Sequence, residues 1–282
     1  MTQSERAARQ QRIAAEMHVA ATFNAAQEIE RRVTFLANYL RTSGLKTYVL
    51  GISGGIDSTT AGRLAQLAVE RLRSGGYDAR FVAMRLPYGQ QHDEADAQRS
   101  LAFIRADENL AVDVKPAADA MLAALTASGT HFADHAQQDF VHGNIKARQR
   151  MIAQYAVASA RVGVVIGTDH AAESVMGFFT KFGDGGADVL PLTGLNKRRV
   201  RALARELGAA DELVHKVPTA DLEMLRPQRP DEDAYGISYD DIDNFLEDKP
   251  VTDEVADIVL RFYDATRHKR ALPYTPFDWP TE

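Results

Sequence analysis

The chain has 282 residues, 45% hydrophobic and 26% charged, which suits a globular protein; a single α/β domain over residues 1–282 is expected. The absence of cysteine excludes disulfides, thiolate metal sites and a cysteine-dependent glutaminase, so any nitrogen incorporated comes from free ammonia or a separate protein. A formal charge of −6 argues against a nucleic-acid partner; with no apolar run of about 18 residues and no secretory h-region in Met1-Thr2-Gln3-Ser4-Glu5-Arg6, no membrane partner and a cytoplasmic location are expected.

Residues 4–41 read as one or two amphipathic helices, a helical extension of about 1–41, with Ile29, Val33, Leu36 and Leu40 at helical spacing and Thr42-Ser43-Gly44 as the stop. Strands and helices then alternate: strand 46–52, helix 57–73, strand 80–86, helix 92–107, strand 109–114, helix 116–128, helix 136–160, strand 162–167, a short helix from Asp169 and a helix at 196–207. Short apolar strands alternating with helices predict a parallel, doubly wound sheet. Ligands of such sheets bind beyond the carboxyl ends of the strands, which singles out residues 53–58, Arg85-Leu86-Pro87-Tyr88 and Gly167-Thr168-Asp169-His170. Residues 221–233 have loop chemistry without periodicity and predict a mobile cover. The first helix and the helix at 136–160, with Met151, Ile152 and Tyr155 on adjacent faces, suit either an interface or core packing.

Between the first strand and its helix stands Ser53-Gly54-Gly55-Ile56-Asp57-Ser58. The glycines let the backbone approach an anion, Ser53 and Ser58 add hydroxyl donors, and the following helix aims its N-terminal dipole at the same place. Neither the Gly-x-x-x-x-Gly-Lys loop nor Gly-x-Gly-x-x-Gly fits. Asp57 would repel a phosphate by several kcal/mol at an effective dielectric of about 20 unless a divalent cation stood between them, so it predicts Mg²⁺; the alternative is an ordinary turn capped by Asp57.

A second constellation runs from Gly167 to Lys197, dense in glycine, charge and paired aromatics, an ordering cost that ligand contacts would recover. On a short helix Glu173 would either complete a Mg²⁺ shell with Asp57 or be an exposed carboxylate. His170 suits capping or packing better than a catalytic base.

Ser-Gly-Gly-x-Asp-Ser resembles the pyrophosphate loop of the N-type ATP pyrophosphatases, which transfer AMP from ATP. Further motifs narrow the resemblance: Arg85-Leu-Pro-Tyr-Gly89, Gly143-Asn-Ile-Lys-Ala-Arg148, Gly167-Thr-Asp-His-Ala-Ala-Glu173, Gly177-Phe-Phe-Thr-Lys-Phe-Gly-Asp-Gly-Gly-Ala-Asp188, Pro191-Leu-Thr-Gly-Leu195, Pro218-Thr-Ala-Asp-Leu222, Gly236-Ile-Ser-Tyr-Asp240 and His268-Lys-Arg270. From about residue 20 to the C-terminus the chain is similar to the ammonia-dependent NAD synthetases. Departures are small: Ile56 fills the variable loop place and Asn196 a place often held by a hydroxyl residue.

That resemblance implies a Rossmann-like sheet of about five strands, of the adenine nucleotide alpha hydrolase type, in a homodimer without an amidase (glutaminase) domain. It implies amidation of nicotinate adenine dinucleotide with ammonia through an acyl-adenylate, giving NAD, AMP and pyrophosphate. Gly51, Ile52, Ser53, Gly54, Gly55, Ile56, Asp57 and Ser58 would hold the ATP phosphates, and Asp57 and Glu173 the Mg²⁺. Thr168, Lys197 and Thr219 would contact ATP, Lys197 facing the leaving pyrophosphate, and Arg85 would lie against adenine or ribose. Arg148, Lys181, Asp188, His268 and Lys269 would contact the dinucleotide, some across the dimer interface. Asp184 is a candidate acceptor for ammonia's proton, and the segments 86–93 and 220–233 would shield the adenylate from water.

Overall fold

The computed structural model describes residues 2–89, 94–220, 222–225, 227, 229–271 and 273–277. At its centre lies a parallel four-stranded sheet in the order β3-β2-β1-β4. Strand β1 (Thr47–Gly51) pairs with β2 (Arg80–Arg85), Thr47 opposite Arg80, and with β4 (Gly163–Val165), Thr47 opposite Gly163. Strand β3 (Glu108–Ala111) adds to β2 with Val82 opposite Glu108.

About five strands were expected, and the place of the fifth holds only a parallel bridge, Ile166 to Val189. The reason is local. The Val165 N–H goes to the Asp188 carboxylate at 2.8 Å, and Pro191, two residues on, has no N–H to continue a ladder.

Alternation along β1 sends Tyr48 and Leu50 into one core and Val49 into another. On the first face pack α2 (Ala25–Ser43), α3 (Ile56–Ser74) and α8 (Lys197–Glu206); their Leu36, Leu64 and Leu203 are fully buried beside Tyr48 and Phe81. On the second, Val49, Val82 and Met84 meet Val114 and Ala158, the latter from α6 (His135–Ala160). Helix α4 (Glu94–Ile104) adds Leu101 and Ile104 to the first core, and α5 (Lys115–Ala127) packs against α6, where helices were expected at 92–107 and 116–128.

A second core lies beyond the sheet. Helix α1 (Gln3–Glu16), opened by a capping box at Thr2 and Glu5, buries Ile13 against α11 (Tyr239–Leu246) and α12 (Asp253–Ala265), with Met17 beside it. Arg6 pairs with Asp253 at 2.8 Å and with Asp257 at 2.9 Å. The first helix therefore packs Ile13 and Met17 inside its own chain, the core-packing role its sequence allows.

The expected cover at 221–233 has order at its flanks: β5 (Thr219–Ala220) pairs antiparallel with β6 (Arg229–Pro230), and α10 (Asp231–Tyr235) follows. Residues 221, 226 and 228 of that cover, and 90–93 of the expected shield at 86–93, lie outside the described residues. Short helices α7 (Ala171–Met176), α9 (Asp211–Val214) and α13 (Arg267–Arg270) complete the fold. Among the described residues no helix is long and apolar enough to cross a membrane.

Candidate active site

A cleft of about 460 Å³ opens at the carboxyl ends of β1 and β4. Its walls include Ser53, Asp57, Thr168, Glu173, Thr219 and Lys269, six of the residues singled out from the sequence. Phe178, Phe179 and Leu222 give it an apolar side.

The loop after β1 is organised by its own hydroxyls. Ser53 Oγ accepts from Gly55 N at 3.2 Å, and Ser58 Oγ accepts from Ser53 N at 3.3 Å while donating to Gly55 O at 3.1 Å. Gly54 turns with φ +86°, and a Cβ there would stand 2.8 Å from Ala97 N, so this glycine packs the loop against α4. Gly54 therefore faces away from the cleft, while Gly55 caps α3 and lines it. Gly51 N donates to Gln154 Oε1 of α6 at 2.7 Å, tying strand end to helix.

Asp57, Glu173, His170 and Lys197 converge from α3, α7 and α8. Lys197 Nζ is wholly buried, 2.8 Å from Asp57 Oδ2, 3.1 Å from His170 Nε2 and 3.5 Å from Glu173 Oε1, with the Tyr239 ring centroid at 4.7 Å. It approaches from behind the two carboxylates and does not line the cleft, where contact with the leaving pyrophosphate was expected. Its backbone is fixed by Asp243 of α11, which accepts from Lys197 N at 3.0 Å and Arg198 N at 2.7 Å, and by Asn196, the N-cap of α8. His170 caps α7, its Nδ1 accepting from Glu173 N at 3.4 Å, as expected for a capping residue. Its Nε2 stands 3.3 Å from both Asp57 and Glu173.

The electrostatics follow from this packing. Burial opposes ionisation of Asp57, but Lys197 and His170 outweigh it and hold the carboxyl below its usual range. Burial likewise opposes charge on Lys197, and Asp57 with Glu173 outweigh it. At Asp231, also on the cleft wall, the balance tips the other way: burial, helped by Glu173, outweighs the bond it accepts from Tyr239 Oη at 2.9 Å and the pull of Lys197, and pushes the carboxyl up to about 6. Asp169, behind the cleft, is pushed up to about 7 by burial and Glu173.

Asp57, His170 and Glu173 each offer a ligand atom within 4.8 Å of the others. Asp57 Oδ1 is buried with no hydrogen bond, and the hard oxygens of Asp57 and Glu173 suit a small hard cation such as Mg²⁺.

Other expected contacts lie apart. Arg85 ion-pairs with Glu94 and lines a separate depression with Gln98, Leu101 and Asn109, so it does not face the cleft where adenine or ribose was expected. Arg148, Lys181, Asp188 and His268 are absent from the cleft lining: Arg148 donates to Lys181 O at 3.3 Å and Lys181 Nζ donates to His268 O, while Asp188 accepts from Val165 N at the sheet edge. Lys269 alone of this group reaches the cleft, donating to Gly177 O at 2.8 Å and Phe179 O at 2.7 Å.

Sequence reading passed over Gln154, Lys216 and Arg229, which also line the cleft. Gln154 carries no local signal. Lys216 and Arg229 could have been found as the cations flanking an acidic, proline-rich cover.

Comparison with known proteins agrees along nearly the whole chain. A family model described as NAD synthase matches residues 28–273. The NH(3)-dependent NAD(+) synthetase of Paraburkholderia phytofirmans is 78% identical over 282 residues, 100% of this chain and 99% of that protein. The crystal structure of NAD+ synthetase from Burkholderia pseudomallei is 76% identical with a TM-score of 0.83, covering 95% of this chain and 98% of that one. The structure of NMN synthetase from Francisella tularensis is 34% identical with a TM-score of 0.78, covering 90% and 99%. The chain is an enzyme and belongs to the NAD synthase family.

Proposed function

We propose that this enzyme amidates nicotinate adenine dinucleotide with free ammonia at the expense of ATP, the reaction of an ammonia-dependent NAD synthetase and the last step in making NAD. The single observation that carries the reading is the meeting of Asp57, Glu173 and Lys197 at the mouth of a glycine loop, on a chain 78% identical to synthetases so named.

A carboxylate is a poor electrophile because its charge is delocalised and oxide does not leave. The nicotinate oxygen therefore attacks the α-phosphorus of ATP, pyrophosphate departs, and ammonia attacks the acyl-adenylate and expels AMP. Asp57 and Glu173 would hold Mg²⁺, which when bound supplies the positive charge that lets a triphosphate approach two carboxylates. The protein's own part is positioning and charge: the loop from Gly51 to Ser58, with Thr168 and Thr219, cradles the nucleotide, and Lys197 keeps Asp57 ionised and holds both carboxylates in place. Ammonium must lose a proton to attack, and Asp231, on the cleft wall with its carboxyl pushed up to about 6, is matched to accept it near neutral pH. Asp184, the earlier candidate, also lines the cleft and accepts from Thr180 N at 2.9 Å.

The dinucleotide would extend from the cleft toward Arg148, Lys181, Asp188 and His268, its site completed in a homodimer. A cytoplasmic setting supplies ATP, dinucleotide and ammonium. The test is an assay with ATP, Mg²⁺, ammonium and either nicotinate adenine dinucleotide or competing acids, nicotinate mononucleotide among them. Equimolar NAD, AMP and pyrophosphate are expected; ADP and orthophosphate, or preference for another acid, would reject the reading.

A further inference from the structure

We infer that one face of α6, formed by Asp139, Gly143 and Lys146, is the seat on which residues 222–225 close the cleft, and that Lys146 is the positioning residue of that seat. The three stand at i, i+4 and i+7, so they share a face. Lys146 is 1% exposed and donates from Nζ to Leu222 O at 2.8 Å. The same ammonium lies 4.2 Å from the centroid of the Tyr88 ring, and Tyr88 Oη donates to Asp119 at 2.5 Å. A buried ammonium is costly to desolvate. Here it meets the main chain of Leu222 and the ring of Tyr88, both on the cleft wall, so one cation ties two segments of the wall together.

Asp139 completes the hold with both oxygens, accepting from Met224 N at 2.9 Å and Leu225 N at 2.8 Å. The side chains of Met224 and Leu225 are 58% and 62% exposed, so the segment is gripped by its backbone. Gly143 gives the close approach: a Cβ there would stand 3.2 Å from both Leu222 Cβ and Leu222 O. Leu222 and Glu223 line the cleft, so the seat sets where this wall stands.

The consequence rests on the proposed reaction. With the segment unseated, water reaches the acyl-adenylate, its oxygen bonds to the acyl carbon, the bond from that carbon to the phosphate oxygen breaks, and AMP leaves with the nicotinate carboxylate regenerated. AMP then forms without NAD.

Two readouts on the full-length protein decide the matter. The first does not involve turnover: chymotrypsin cleavage within 222–225 of the native protein is expected to quicken about tenfold in Lys146→Met and, to a lesser degree, in Asp139→Ala, as a charged hydrogen bond is lost from a local opening equilibrium. The second is the ratio of AMP to NAD, near one in the parent and raised about threefold or more in both variants. Unchanged cleavage in both overturns the seat whatever the reaction proves to be. Faster cleavage with a ratio still at one overturns its role in shielding, and a parent that makes no NAD rejects the proposed function while cleavage still judges the seat. Asp139→Ala, at a half-buried helix position, carries both readouts should Lys146→Met not fold.

Discussion

The two halves of this molecule are built on opposite terms. Around the sheet, Tyr48, Leu64, Phe81 and Leu203 close an apolar core in which position comes mainly from packing. Around α10 and α11 the core is threaded with charge: Asp231 and Asp243 are 6% and 1% exposed, each satisfied by a particular hydroxyl or N–H, and Lys197 reaches the seam between the halves. The sheet thus supplies a rigid edge cheaply, while the helical half holds charges whose burial is worthwhile only through chemistry. Substitutions on the two sides should accordingly separate stability from activity.

The largest effect is expected at the seam. Asp57→Ala removes the oxygen 2.8 Å from Lys197 and one of the two carboxylates that would hold the metal, and AMP and pyrophosphate formation should fall about 10³-fold or more, about 4 kcal/mol in transition-state terms. Assays normalised to folded protein would check this, and activity within tenfold of the parent would refute the role of Asp57. In the sheet half, Leu64→Ala should do the reverse. A cavity at this fully buried position costs about 2–5 kcal/mol in denaturant unfolding, with kcat per folded molecule unchanged.

Legibility followed the same division. The sheet half announces itself through period: each expected strand from 46–52 to 162–167 is present, with ends within three residues of those expected, because both faces of β1 and β2 are buried and their central residues are apolar. The loop at 53–58 and Glu173 were readable because phosphate and metal chemistry demand particular residues close together. In the helical half no helix or strand was expected past residue 207. Its helices are short, and its contacts are remote: Asp243 lies 46 residues from the Lys197 N–H it holds, a distance at which no local pattern operates. One signal was available, the capping box of Ser238 and Asp241 that opens α11. Arg85 shows the limit of reasoning from strand ends, since being next after a strand does not fix which side the side chain takes, and Glu94 draws this one away.

Two buried acids sharpen the contrast through pH. Asp231, in the helical half, is raised to about 6, so the stability it lends is complete below its unfolded pKa of about 3.8 and is lost as pH rises through about 6. Asp231→Asn keeps an oxygen for Tyr239 Oη and should therefore gain stability over the parent above pH 6 while losing turnover, the gain vanishing near pH 4. Thermal melts across pH 4–8 would show it, and parallel curves would remove the argument. Asp107, in the sheet half, is shifted the other way. Burial raises it, but Arg73 at 2.7 Å and Phe81 N at 2.9 Å outweigh burial. Its contribution is present above the unfolded pKa and lost as pH falls through the lower folded value. Asp107→Asn should thus melt earlier than the parent at pH 7, converge with it in acid as the parent's carboxyl takes up its proton, and leave turnover untouched.

The smallest effect is expected where charge is plentiful but wet. Arg71 of α3 meets Glu30 of α2 through two bonds of 2.8 and 2.7 Å, and Thr34 shares both partners, a two-point geometry that favours an ion pair. Its side chains are nonetheless 42% and 65% exposed. Water and salt screen such a pair, and the long side chains lose freedom in forming it, so Glu30→Gln should move the melting temperature by less than about 2 °C and by nothing measurable in 1 M salt. A shift comparable to that of Leu64→Ala would mean that the sheet half, too, leans on charge, and the division between packing and electrostatics would not hold. A null result beside a large loss in Asp57→Ala would place the energetic worth of charge in this protein where water is excluded, at the seam occupied by Lys197.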